Sequence, residues 1–405
     1  MTTPTFIDVP IHSAAIAHPA RPVSAPDASH CMPRSDVMFV LSSLAVGGSE
    51  RKIARMANRL KDEGVQVTLA CLNGPYTIEG SVRRDVPLHK LERRGKFSLA
   101  AVMRLRSILL AERPSTVIAV NLYQALYVAC ATSLMSHRPR TVALVNTSTF
   151  RGRRLWKRLY QLVLSRFDQT VHGSQAQRRF WVDADRRAHD NSSVIYNGVD
   201  SSHFEPIVAF EEAKRLRARL GVSPKALLIG TVGQMRPEKN QEVLLTTLRR
   251  LRVARVDAHL VIAGDGPLRE LLARRAVELE VADRVSFVGE LDDVRAVLTA
   301  IDVFVLPSTA VESFSNAALE AMAIGRPIIL SDIGGAREMI DDGVEGYVVS
   351  PTELPARLPA LIAALYADQR KRQQMGLAAR RRAETSFSVS AMVANYRALL
   401  GGESA

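Results

Sequence analysis

At 405 residues and 47% apolar composition the chain exceeds one ordinary core, so two domains of about 150 to 200 residues are expected. It has no run of about 18 apolar residues and no charged start followed by an apolar segment, which argues against a spanning helix or secretory leader and predicts a cytosolic protein. Three scattered cysteines, Cys31, Cys71 and Cys130, argue against a disulfide framework or zinc site, and the net charge of +13 is concentrated, with 26 Lys and Arg against 12 Asp and Glu in residues 36–198 and 26 against 27 in residues 199–405.

In chain order, residues 1–35 are rich in Pro, Ala and Ser without helical or strand periodicity and read as a disordered leader. An apolar run at 37–41 then passes through a loop into Gly47-Gly48 and an amphipathic stretch at 49–61, which is strand, glycine loop, helix. The theme continues with strands at 65–72, 116–120 and 141–145 and helices at 99–111 and 125–135. Val194-Ile-Tyr-Asn-Gly-Val-Asp200 supplies an Asn-Gly turn and a boundary near residue 200.

A second series follows, with strands at 226–232, 259–263, 285–288, 303–306 and 327–330. Helices at 241–251, 268–279, 293–300 and 316–323 alternate with them. Such alternation predicts an α/β fold of two Rossmann-like, doubly wound domains, 36–200 and 201–386, facing a cleft at the carboxyl ends of both sheets. The segment 387–400 reads as an amphipathic helix with Met392, Tyr396 and Leu399 on one face.

The segment richest in chemistry is Val311-Glu-Ser-Phe-Ser-Asn-Ala-Ala-Leu-Glu-Ala-Met-Ala323. Glu312 precedes a short loop and Glu320 follows eight positions later on a helix. Backbone N–H groups of Ser313, Phe314, Ser315 and Asn316, at a helix start, suit a diphosphate, and Glu320 suits ribose hydroxyls. On spacing alone the pattern is weak evidence, and two glutamates on a solvated face explain it better than a ligand site does.

Several motifs nevertheless occur in order: Gly47-Gly48-Ser49-Glu50, Tyr196-Asn-Gly-Val-Asp200, Gly233-Gln-Met-Arg-Pro-Glu-Lys-Asn240, Ile262-Ala-Gly-Asp-Gly-Pro267, Phe287-Val-Gly289 and the Glu312 to Glu320 element. In their order and spacing they resemble the retaining GT-B glycosyltransferases called glycosyl transferases group 1, over roughly residues 37–400. The resemblance implies a hexosyltransferase that moves a sugar from a nucleotide diphosphate sugar to a saccharide or lipid-linked acceptor, in cell-surface polysaccharide or glycolipid synthesis.

It further implies that Glu312 binds the donor sugar near its reacting face and that Glu320 holds the ribose. Lys239, with Gln234 or Arg236, would neutralise the leaving diphosphate. Gly47 and Gly48 would admit the backbone close to that diphosphate. Gly289 and Leu291 would flank the base. Residues 387–400 would pack back on the first domain.

Three departures stand out. Gln234 occupies the place of a common arginine, and Asn121 and Asn146 lie where family members often carry histidine. Asparagine can hydrogen-bond a sugar hydroxyl but cannot act as acid or base. Retention by a route in which the leaving phosphate oxygen deprotonates the acceptor tolerates Asn146 and needs no metal or other cofactor. Asp183-Ala-Asp185 reads as a solvated surface beside Arg186, Arg187 and His189.

The basic half suits an anionic membrane surface, at the inner face of the membrane, more than nucleic acid, since no recognised nucleic-acid module occurs. Within it Leu155, Leu159, Leu162 and Val163 form a helical stripe with Arg153, Arg154, Lys157 and Arg158 at its start. That stripe suits either a bilayer or the domain core. The departures also leave open a non-catalytic relative that binds a nucleotide sugar or a partner enzyme.

Overall fold

The computed structural model describes residues 4–6, 35–45, 47–133, 135–146, 154–182 and 191–401. Among these, two compact units form: an N-terminal unit of residues 35–196 joined by 392–401, and a C-terminal unit of residues 197–391 joined by 4–6.

The strand β1 (Thr5–Phe6) pairs in parallel with residues 286 and 287 of the C-terminal unit. This corrects the reading of residues 1–35 as wholly outside the fold. An edge strand offers unpaired backbone groups that a short extended segment can satisfy, and two residues are too few to leave a periodic signature.

The N-terminal unit runs β2 (Val37–Leu41), α1 (Gly48–Asp62), β3 (Val67–Cys71), β4 (Leu88–Lys90), α2 (Leu99–Glu112), β5 (Thr116–Val120), α3 (Leu122–Thr132), β6 (Arg140–Val145), α4 (Arg154–Leu164), β7 (Gln169–His172), α5 (Gln175–Val182) and β8 (Ser192–Val194). All five residues of each of β2, β3 and β5 are buried, as expected for parallel strands covered on both faces. In α1, Ile53, Met56, Ala57 and Leu60 recur at helical spacing and are buried, while Glu50 in the first turn and Arg59 and Lys61 in the last complement the dipole. Ser98 caps α2, its Oγ accepting from Ala101 N at 3.3 Å.

The C-terminal unit continues with α6 (Phe210–Arg219), β9 (Leu227–Val232), α7 (Glu242–Val253), β10 (Ala258–Ala263), α8 (Arg269–Glu278), β11 (Val285–Gly289), α9 (Arg295–Ala300), β12 (Val303–Leu306), α10 (Asn316–Ile324), β13 (Ile328–Ser331), α11 (Ala336–Met339), β14 (Gly346–Val349), α12 (Leu354–Ala367) and α13 (Gln369–Ser386). The last helix, α14 (Val389–Gly401), ends in the N-terminal unit, where Met392, Tyr396 and Leu399 are buried. There Arg397 Nη1 pairs with Glu63 at 3.1 Å and Arg140 Nη1 donates to Leu399 O.

Both sheets are parallel, in the orders β4-β3-β2-β5-β6-β7-β8 and β1-β11-β10-β9-β12-β13-β14. Strand order reverses between β2 and β5 in one and between β9 and β12 in the other. Loops leaving the carboxyl ends of the two strands at such a reversal diverge to opposite faces and open a crevice. No helix among the described residues is long and apolar enough to cross a membrane.

Candidate active site

In the C-terminal unit the loops that follow β9 and β12 meet at the reversal. The first carries Gln234, Arg236 and Lys239, the second Ser308 and Glu312. Asn240, in the left-handed region that asparagine tolerates (φ 52°), donates through Nδ2 to Pro307 O at 3.2 Å. Thr309 N donates to Glu238 O at 2.8 Å. Buried Gln241 donates through Nε2 to Gln234 O at 3.0 Å, so the first loop is tied on both sides of Lys239.

The ties bring together two groups far apart in sequence: Lys239 Nζ forms an ion pair with Glu312 Oε1. The hydroxyl of Ser308, which is fully buried, donates to the same oxygen at 3.0 Å. With 25% of the lysine side chain and 15% of the glutamate side chain exposed, the pair is shielded from bulk water yet open on one side.

Backbone geometry around Glu312 is unusual. Val311 holds φ 65°, a conformation that costs a β-branched residue strain and clusters at functional sites. Gly334, at φ 56°, passes so close that a Cβ there would lie 2.0 Å from Glu312 O, and Gly335 N donates to Ser313 O at 2.8 Å. Asn197 Nδ2 donates to Phe314 O at 2.6 Å, while the Phe314 ring packs at 5.0 Å on Phe387.

The chain then enters α10, where Ser315 Oγ accepts from Ala318 N at 3.3 Å. Ser313, Phe314, Ser315 and Asn316 thus sit at the positive end of a helix dipole. Half-buried Glu320 follows about one turn further on. Beside the loop is a small pocket lined by Ser308, Glu312, Leu306, Leu330, Ile333 and Met339.

Gly289 ends β11 at φ 73°, and its carbonyl accepts from Gly264 N at 2.7 Å. Gly264, at φ 131°, lets β10 turn against the β9 loop, since a Cβ would come within 2.1 Å of Gly233 O. Gly289 and half-buried Leu291 therefore stand at the same sheet edge, two strands from Lys239. Gln234 and Arg236 carry exposed side chains on the Lys239 loop.

Gly47, Gly48 and Asn146 belong to the N-terminal unit. Gly47 precedes α1 in extended backbone (φ −168°), and Gly48 begins the helix. A side chain at Gly47 would meet only the movable Glu50 carboxylate, so this unit by itself does not demand glycine there. Burial pushes the Glu50 carboxyl up from its ordinary range.

Asn146, beyond β6, donates through its N–H to Asn121 Oδ1 at 3.2 Å and through Nδ2 to Ser49 Oγ at 3.3 Å. The two asparagines singled out as departures thus form one polar cluster at the carboxyl edge of the sheet, with Asn121 strained at φ 80°. Thr147, Arg153, Asp183, Asp185, Arg186, Arg187 and His189 lie outside the described residues. Among the described residues no group of three or more His, Cys, Asp or Glu is placed to hold a metal ion.

The stripe read on α4 divides. Val163 is buried, while Leu159 and Leu162 face outward with Trp156, which is 52% exposed, and Arg158. An apolar arc wider than the interface leaves its outer edge in water. Sequence reasoning missed Ser308, whose role needs the partner beside it to be visible, and Gly334, whose Gly334-Gly335 pair was the available signal.

Residues 212–382 match the family described as Glycosyl transferases group 1, and residues 46–203 match Glycosyltransferase Family 4. The chain is 32% identical over 188 residues to a lipopolysaccharide core biosynthesis mannosyltransferase of Rhizobium meliloti, covering 45% of this chain and 52% of that one. It is 32% identical over 213 residues to the GDP-mannose-dependent alpha-(1-6)-phosphatidylinositol monomannoside mannosyltransferase of Mycolicibacterium smegmatis, covering 51% and 55%. It thus spans about half the length of these curated relatives. The crystal structure of Anabaena HepE in complex with UDP superimposes with a TM-score of 0.80 at 21% identity, covering 91% of this chain and all of that one, and so shares the fold.

Proposed function

Because the chain belongs to the GT-B glycosyl transferases group 1 family, we propose that it transfers a hexose from a nucleotide diphosphate sugar to a saccharide or lipid-linked acceptor. The donor is held by the C-terminal unit and the acceptor by the N-terminal unit, in the assembly of a cell-surface polysaccharide or glycolipid. The observation that carries this reading is the Lys239–Glu312 pair at the strand reversal, beside the start of α10. A diphosphate set on the N–H groups of residues 313–316 gains the helix dipole and the Lys239 ammonium, with Arg236 within the same loop. These groups stabilise the negative charge that grows on the departing nucleotide diphosphate.

Glu312 binds hydroxyls of the transferred sugar, and Glu320 binds the ribose. The bond from the anomeric carbon to the phosphate oxygen breaks as that carbon bonds the acceptor oxygen on the same face. The leaving phosphate oxygen takes the acceptor proton. Configuration is retained, and the step calls for neither a protein base nor a metal, which suits Asn146 as a hydrogen-bond donor.

A lipid-linked acceptor agrees with the phosphatidylinositol monomannoside mannosyltransferase activity for which the mycobacterial relative is named and with the positive excess of residues 36–198. Exposed Trp156, Leu159 and Leu162 beside Arg158 support peripheral attachment to an anionic inner membrane face. A thermal-shift panel of UDP-, GDP- and ADP-sugars with and without chelator tests the reading. One donor class should raise the melting temperature regardless of chelator. If no donor shifts folded protein, the reading as a non-catalytic relative is favoured over this one.

A further inference from the structure

The Glu312 oxygen Oε1 accepts from two donors of different character: the Lys239 ammonium and the Ser308 hydroxyl at 3.0 Å. Lys239 is mobile by chemistry, a compact charge on a long flexible stem, and on the function proposed above the donor diphosphate competes for it. Ser308 is the opposite case. It is fully buried, the second residue of the loop after β12, and its hydroxyl bonds Glu312.

A carboxylate held by lysine alone would lose its orientation whenever the lysine turned to phosphate. We infer that Ser308 is a positioning residue that keeps Glu312 Oε1 fixed while Lys239 serves the diphosphate, so that Oε2 stays directed at the sugar hydroxyls. The hydroxyl acts through Glu312 and touches no part of the donor. Ser308 also lines the small pocket there, and a threonine at this position keeps the hydroxyl.

The inference rests on the donor-binding reading, and the test separates the two. Wild type, Ser308→Ala, Ser308→Thr and Glu312→Gln are titrated calorimetrically with UDP and GDP. Release of UDP from UDP-glucose and of GDP from GDP-mannose is then followed over a range of donor concentrations up to saturation. Ser308→Ala should bind the nucleotide within about twofold of wild type and keep its KM, while kcat falls about tenfold. Ser308→Thr should return kcat to within about threefold of wild type. Glu312→Gln removes the competitor for Lys239 and should bind the nucleotide at least about threefold more tightly.

A Ser308→Ala variant with wild-type kcat overturns the role of Ser308. So does a threonine variant that binds nucleotide yet is as slow as alanine. Unaltered or weaker nucleotide binding by Glu312→Gln overturns the sharing of Lys239. A folded wild type that binds neither nucleotide and releases neither removes the donor-binding reading itself, and the inference falls with it.

Discussion

Replacing Gly334 by alanine should damage stability and turnover together, and its cost follows from the backbone. The residue sits at φ 56°, where a Cβ costs about 1 to 2 kcal/mol. That Cβ would also lie 2.0 Å from Glu312 O, against a practical minimum of 3.0 Å, so the Glu312 loop must retreat by about 1 Å. Overpacking of this kind costs about 1 to 3 kcal/mol. The total, about 2 to 5 kcal/mol, should lower the melting temperature of the C-terminal unit by roughly 5 to 15 °C.

A carboxylate displaced by about 1 Å should reduce kcat/KM about 100-fold. Gly343→Ala is the control: at φ 86° it meets nothing within 4 Å, so it should pay the backbone cost alone and keep wild-type turnover. Differential scanning calorimetry and nucleotide release from UDP-glucose or GDP-mannose read both quantities. If Gly334→Ala melts like Gly343→Ala and turns over donor like wild type, the approach of residue 334 does not position Glu312.

Glu312→Ala should reduce transfer at least about 1000-fold while far-UV circular dichroism stays native, and full activity would falsify the assignment. Burial depresses both His172 and His259 to about 4 from 6.5. The unfolded chain binds more protons than the folded one below 6.5, so their contribution is complete above that value and is lost as pH falls toward 4. Calorimetry between those limits should show melting temperatures falling with pH, and less steeply for His259→Gln in the C-terminal unit; equal slopes would exclude this histidine as a cause. Trp156→Ser with Leu162→Ser should weaken co-sedimentation with anionic vesicles several-fold, and wild-type binding should itself fall as salt is raised; retention unaffected by either change would rule out that face.

Elements with long apolar runs were legible. The strands 37–41 and 303–306 and residues 117–120 carry uninterrupted buried apolar residues, and α1 repeats its apolar face along the helix. Strands β4, β7 and β8 were not read, because three or four residues such as Leu88-His89-Lys90 show neither length nor alternation. Helix α13 hid for another reason: its buried face is Met375, Gly376, Ala379 and Ala383, mostly small residues in an Arg- and Gln-rich stretch. The Glu312, Lys239 and α10 components were visible as motifs. The bond between the first two was not, since they are 73 positions apart and only the parallel pairing of β9 with β12 makes their loops neighbours. On α4 the periodicity marked an apolar arc without saying which edge of it the fold would cover.

The path of the chain sets an order of assembly. Residues 35–196 are synthesised before residues 197–391, yet the unit they build also buries Met392, Tyr396 and Leu399, made about two hundred residues later. Until then the surface destined for α14 is uncovered, so the N-terminal unit is completed only after residues 197–391 have been made. Nascent chains are expected to carry this open apolar face throughout synthesis of the C-terminal unit, the condition under which chaperones engage. A fragment ending at residue 196 would keep that condition permanently.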